Sequence, residues 1–237
     1  MSNHATSVDL SVDLAPRNPR ELLLRNPIIP ASGCFGYGEE YAGIIDVQRL
    51  GAFVSKGITP ERRAGNPMPR ILETPAGMLN AIGLQNPGIR DFVRKYPPMW
   101  ESWDVPAIVN ISAETVGDYA EMARVLDEVP GVAGLEVNVS CPNIQRGGYC
   151  FGWDPDMTAD VTHAVRDATT LPVIVKLSPG ATDVVAVAQA AEHAGADAVS
   201  LVNTLVGMAI DVRRRQPLLA NQTGGLSGPA IKPIAVR

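Results

Sequence analysis

Six short apolar runs restrict what this chain can fold into more than any other feature of it. They are NPIIPAS (26–32), GAFVSKGI (51–58), PAIVNIS (106–112), GLEVNVS (134–140), PVIVKLS (172–178) and AVSLVNT (198–204). Each is apolar on successive residues rather than alternating. That is the pattern of strands buried on both faces, as in a parallel sheet with helices packed outside it. Ala, Val, Ile and Leu must supply this core, because aromatic residues make up only 5% of the chain.

Helical patterns separate the later runs. Residues 117–129 place Tyr119, Met122, Leu126 and Val129 on one stripe, with Thr115 as the N-cap. Residues 156–168 open on Asp156, where a helix dipole favours an acid. Residues 183–194 stop at Gly195, a C-cap signal. From 106 on, the runs recur every 26 to 38 residues, the length of a strand–helix unit. The chain therefore reads as one α/β domain over 1–237, with a hairpin at 8–25 before the first strand. Residues 59–105, rich in Pro and Gly, break the rhythm and read as an inserted lid or hairpin. The tail GGLSGPAIKPIAVR opens a further helix. Six units fit either an open sheet or a (β/α)8 barrel with about six of its eight units present.

Composition removes several functions. The net charge is −5, and the only arginine cluster, 213–215, reads as a solvated loop face, so no nucleic-acid partner is expected. No apolar run approaches the roughly 18 residues of a membrane span. MSNHATSVDL lacks the charged start and apolar stretch of a signal peptide. Cys34, Cys141 and Cys150 form no CxxC pair, which points away from a zinc or iron–sulfur site and toward reduced thiols in a cytoplasmic protein.

In parallel α/β folds, active sites form beyond the carboxyl ends of the strands. There the runs carry Lys56; Asn110 and Ser112; Asn138, Ser140, Cys141 and then Asn143; Lys176 and Ser178; Asn203 and Thr204. Polar groups inside apolar strands are costly unless satisfied, so their convergence on one rim marks a functional mouth. Glu136 is the one clear acid on the strands and shares a face with Asn138. His4, His163 and His193 lie in the tail and on helices, which leaves the rim without a histidine base or a metal-ligand cluster. The two lysines supply positive charge suited to an anionic substrate or a reduced cofactor. Cys141 reads either as packing or as the one rim group able to shuttle a proton near neutral pH. Lys176 also permits a Schiff-base lyase.

NPIIPASGCFGYGEEY, SKGIT, NAIGLQNPG, VNVSCPN, VKLSP and GGLSGPAIKP, in that order, resemble the dihydroorotate dehydrogenases from about residue 8 onward. The cysteine of NVSCPN resembles class 1 of that family, and IIPASGCFGYGEEY resembles subclass 1B. The resemblance implies a TIM barrel whose last two strand–helix units lie beyond the end of this sequence. It implies oxidation of (S)-dihydroorotate to orotate through FMN, in pyrimidine (UMP) synthesis. It also implies a homodimer joined to an electron-transfer subunit carrying FAD and a 2Fe-2S cluster, which passes electrons to NAD. Class 1A enzymes instead use fumarate and no partner, and a chain short of two units could be an inactive fragment.

By position, the resemblance makes Cys141 the base that removes the substrate's C5 proton. It assigns FMN contacts to Ser32, Lys56, Gly57, Asn110, Asn138, Lys176, Val202 and Gly228. It assigns substrate contacts to Lys56, Asn80, Ala81, Ile82, Gly83, Leu84, Asn138, Asn203 and Thr204, with Asn143 adding a hydrogen bond.

Overall fold

The computed structural model describes residues 8–140, 142–143 and 149–237. Strands β1 (Val12–Asp13) and β2 (Leu23–Leu24) pair antiparallel at the start. A short helix α1 (Glu39–Ala42) precedes β3 (Phe53–Val54). An excursion follows, with the hairpin β4 (Ile71–Thr74) and β5 (Gly77–Asn80) and the helices α2 (Ile89–Lys95) and α3 (Pro97–Trp100). The repeat then runs through β6 (Ala107–Ile111), α4 (Val116–Asp127) and β7 (Gly134–Asn138). After the small pair β8 (Pro142–Asn143) and β9 (Tyr149–Cys150) come α5 (Pro155–Ala168), β10 (Val173–Lys176), α6 (Val184–His193) and β11 (Ala198–Ser200). The chain closes with β12 (Leu205–Met208), β13 (Ile210–Asp211), β14 (Gln216–Pro217), β15 (Thr223–Ser227) and α7 (Lys232–Val236).

Strands β3, β6, β7, β10 and β11 form one parallel sheet in that spatial order, each beside its neighbour in the repeat. Val54 on β3 and Ala198 on β11 line the same 260 Å³ cavity with Ile108 and Ile174. The two outermost strands can share a cavity only if the sheet curls toward itself, as a barrel wall does. Among the described residues the curl has five strands, where the sequence predicts six. The run 26–32 lies alongside β3, where its Ile28 and Pro30 carbonyls accept from the N–H groups of Gly51 and Val54. Pro27 and Pro30 have no N–H to return, so this run is not a strand.

Burial on both faces follows from the period of two. Outward residues such as Phe53, Val109, Leu135, Val137 and Val175 pack against Tyr119, Met122 and Leu126 of α4 and Val161 and Val165 of α5. Inward residues Val54, Ile108 and Ile174 meet Ala15, Leu22 and Leu24, so the β1–β2 hairpin plugs the floor of the curl. Thr115 caps α4 by accepting from Asp118 N. Helix α5 is capped by Asp154 and starts at Pro155, one residue ahead of the predicted start, with Asp156 in its first turn as expected. Gly195, just past the end of α6, has φ +99°, a left-handed conformation that suits glycine.

The tail holds a short helix at its end, and ahead of it a strand that its sequence does not announce. GGLS lies in β15, which pairs with β5, and β12 pairs with β15, which makes a four-stranded antiparallel sheet with the hairpin. Leu72, Leu79, Leu219 and Leu226 form its small core. Helix begins only at Lys232.

One buried carboxylate ties the floor together. Asp197 Oδ2 accepts from Arg166 Nη1 (3.0 Å), Asn18 Nδ2 (3.0 Å) and the Val173 N–H (2.8 Å). The Asp197 side chain is only 11% exposed, so Asp197→Ala leaves an amide and a strand N–H without their acceptor and takes from Arg166 its carboxylate, leaving that guanidinium only the Thr169 and Leu171 carbonyls. A loss of about 3 kcal/mol in urea unfolding is expected, against about 1 kcal/mol for Asp197→Asn, which keeps an acceptor.

Candidate active site

At the carboxyl ends of the strands the interior changes from apolar to polar, one layer above the Ile108–Ile174 floor. Asn110 of β6 lies opposite Glu136 of β7, and Lys176 of β10 opposite Ser200 of β11. Asn110 Nδ2 donates to Glu136 Oε1 (2.6 Å) and Ser200 Oγ to Glu136 Oε2 (2.9 Å). Lys176 Nζ stands 3.8 Å from Glu136 Oε1 and donates to Ser32 Oγ at 2.8 Å. Val202 lines the cavity beneath Lys176.

The next layer is made of amides and hydroxyls. Asn203 Nδ2 donates to both Asn138 Oδ1 (3.0 Å) and Ser140 Oγ (3.0 Å). The Ser140 N–H donates back to Asn138 Oδ1 (3.3 Å), and Tyr119 of α4 donates its hydroxyl to the Asn138 carbonyl (2.7 Å). The end of β7 is thereby fixed from above and from the helix side, immediately before residue 141. Cys141 itself lies outside the described residues, and Asn143 is described only as backbone in β8.

The antiparallel sheet brings the lid to this mouth. Asn80 Nδ2 donates to the Gly225 carbonyl (3.3 Å), and a Cβ on Gly225 would lie 2.0 Å from Thr204 Oγ1, so Asn80 and Thr204 flank one strand. The loop after Asn80 is held by Asn66, whose side chain donates to the Ala81 carbonyl and whose N–H donates to the Ile82 carbonyl, each at 3.0 Å. Gly83 has φ +74°, and Leu84, at φ +51°, turns the chain so that its side chain reaches Gly57. A Cβ on Gly57 would stand 2.7 Å from Asn110 Oδ1 and 3.5 Å from Leu84 Cδ2, a close approach that only glycine permits.

Lys56 stands apart from this network. Its N–H donates to the Gly36 carbonyl (2.7 Å), and its side chain borders a 600 Å³ cleft with Tyr37, Glu40, Arg62 and Arg63. Burial, and next the Arg70 guanidinium, hold its ammonium below the usual lysine range. Arg63 is paired with Glu114 and Arg70 with Gln85. The sequence predicts two lysines offering fixed positive charge; in the structure Lys176 has a carboxylate partner, and Lys56 is without an ion pair among the described residues.

Of the predicted residues that are described, most are gathered; Lys56 and Gly228 stand apart. Ser32, Asn110, Lys176 and Val202 meet in the lower layer, Asn138 and Asn203 in the upper, and Asn80–Leu84, Gly57 and Thr204 at the lid. Gly228 lies three residues past Gly225, at the far end of the lid hairpin, where a Cβ would be 2.9 Å from Gly77 Cα. Two residues escaped assignment, Glu136 and Ser200. The signal for Glu136 was an acid in an apolar run with the parity of Asn138; Ser200 gave none, because its run reads as ending at Asn203 and Thr204.

Chemically, the mouth offers a cation, amide donors and acceptors at two heights, and close backbone approach. That donor set fits the planar heterocycle of a flavin, with its alternating carbonyls and ring nitrogens. Among the described residues no group of His, Cys, Asp and Glu could hold a metal, and no helix is long and apolar enough to cross a membrane.

Comparison with known proteins agrees with this chemistry. The family model described as dihydroorotate dehydrogenase matches residues 18–237. A Pelobacter propionicus protein named dihydroorotate dehydrogenase B (NAD(+)), catalytic subunit, is 58% identical over 229 residues, 97% of this chain and 74% of that protein. Proteins of the same name from Trichlorobacter lovleyi and Geobacillus kaustophilus are 59% and 55% identical over 216 residues. Both alignments cover 91% of this chain, and 71% and 69% of those proteins. With its curled parallel sheet, its polar mouth and a match that begins at residue 18 and runs to its last residue, the chain belongs to the dihydroorotate dehydrogenase family.

Proposed function

We propose that the chain is the catalytic subunit of an NAD-linked dihydroorotate dehydrogenase, oxidising (S)-dihydroorotate to orotate for pyrimidine synthesis. The observation that carries this reading is the Ser32–Lys176–Glu136–Asn110 layer beneath Asn138 and Asn203, in a chain 58% identical to a relative of that name. The cofactor proposed is FMN, held by Ser32, Lys56, Gly57, Asn110, Asn138, Lys176 and Val202, with Gly228 toward its phosphate. The remaining parts of the proposal are an eight-unit barrel, a homodimer, a partner subunit with FAD and a 2Fe-2S cluster, and a cytoplasmic setting.

When bound, FMN accepts the hydride that leaves C6 of the substrate. The chain's own residues do the rest. Asn80, Asn138, Asn203 and Thr204 hold the substrate ring by its amide edges, and Lys56 offers positive charge to its anionic groups. Cys141 takes the C5 proton, so that the electrons of the C5–H bond form the new double bond. Lys176, steadied by Ser32, presents its ammonium to the charge that arrives. A Schiff-base role for Lys176 would need a free neutral amine, whereas its Nζ is bonded to Ser32 and faces Glu136.

The test is anaerobic. Addition of dihydroorotate to the purified protein should bleach a flavin absorbance band, and orotate should perturb that band without bleaching it. A protein that binds flavin but is not reduced by dihydroorotate contradicts the assignment.

A further inference from the structure

We infer that Glu136 is a positioning residue that limits how much of the Lys176 charge reaches the flavin, and so lowers the flavin's reduction potential. This rests on the reading of Lys176 as the flavin's cationic neighbour. The side chains of Glu136 and Lys176 are 5% and 12% exposed, so the 3.8 Å between Oε1 and Nζ is poorly screened. The carboxylate cannot swing away, because Asn110 holds Oε1 and Ser200 holds Oε2. Ser32 holds the ammonium from the other side. An electron pair arriving at the mouth therefore meets a fixed ion pair rather than a lone cation. Proton and hydride removal from the substrate call for no acid here, and a lone lysine would stabilise the reduced flavin more strongly. An enzyme whose electrons must move on to NAD gains from holding them less tightly, and a carboxylate under the lysine does that.

The experiment is spectroelectrochemical titration of the flavin-loaded enzyme without substrate. Glu136→Gln keeps the shape and can still pair with Asn110 and Ser200. It is expected to raise the two-electron equilibrium constant for reduction about tenfold, a midpoint shift of about +30 mV. It should also lower the pH at which the slope of midpoint against pH halves, where the reduced flavin sheds its N1 proton. Ser200→Ala keeps the carboxylate but strips a donor from Oε2, leaving more of its charge facing Lys176; the midpoint should fall. Opposite signs in the two variants are what a charge effect requires and loosened packing does not produce. An unchanged midpoint in the flavin-loaded Gln variant overturns the inference and leaves the Lys176 reading standing. If the Gln variant does not load flavin, an unchanged or raised midpoint in Ser200→Ala overturns it instead. If Lys176→Gln loads flavin and leaves the midpoint unchanged, the Lys176 reading itself fails and the inference falls with it.

Discussion

Cys141→Ala is expected to slow reduction of the bound flavin by dihydroorotate by about 10³-fold while orotate still binds, the usual loss when a positioned general base is removed. No described histidine, amide, hydroxyl or carboxylate at the mouth can replace the thiol. His163 and His193 lie on α5 and α6, outside the sheet, and the His163 side chain is 71% exposed. Asn138, Asn203, Ser140 and Thr204 are amides and hydroxyls, which orient a ring but do not accept its proton near neutral pH. Glu136 is already bonded through both oxygens, one layer below. In the unmodified enzyme the reduction rate should rise with pH as the thiolate fraction grows, and in the alanine variant that dependence should vanish with the rate. With the substrate contacts proposed for Asn80, Asn138 and Asn203 left in place, orotate binding, followed as a perturbation of the flavin spectrum, should persist. Full-rate reduction of the alanine variant in stopped flow would remove Cys141 from the mechanism.

The parallel strands were legible because burial on both faces leaves a continuous apolar run, and α4 because Thr115 and the Tyr119–Met122–Leu126 stripe announce it. Two errors have a shared cause. NPIIPAS has the apolar content of a strand, but its prolines remove the N–H groups a ladder needs. GGLS has the glycines of a loop, yet β5 and β12 supply partners that no local pattern reveals. Pairing between distant segments is a tertiary fact, and it overrode local propensity at both places.

The site was legible one strand at a time. Asn110, Asn138 and Lys176 stand out because polar groups in apolar strands need a reason. What no single run discloses is which residues share a layer. That depends on the stagger between strands: Asn110 pairs in register with Glu136, whereas Lys176 pairs with Asn138 and Ser200 and yet its side chain meets Glu136, one step lower on β7. Glu136 thus reads in the sequence as an isolated acid and Lys176 as a cation without a partner, whereas in the fold their side chains stand 3.8 Å apart.

That pairing gives Lys176→Met a large expected effect on the fold. Removing the ammonium leaves a carboxylate 5% exposed with two neutral donors and no cation within ion-pair distance among the described residues. Breaking a buried pair from one side costs about 3–5 kcal/mol, because the remaining charge is stranded away from water. Part of the Lys176 stem reaches the mouth, so the lower end, about 3 kcal/mol, is expected; for a chain this long that is a fall in Tm of roughly 6–12 °C. The double variant Lys176→Met with Glu136→Gln removes both charges and should recover to within about 1 kcal/mol of the parent, since two neutral groups carry no such penalty. Stability measured by thermal unfolding separates this from a loss of packing. A Met side chain fills nearly the volume of Lys, so a packing defect would persist in the double variant, whereas an uncompensated charge would not. Flavin reduction should remain impaired in both, because the ammonium at the mouth is absent from each. A double variant no more stable than Lys176→Met alone would show that the 3.8 Å pair contributes nothing to the fold.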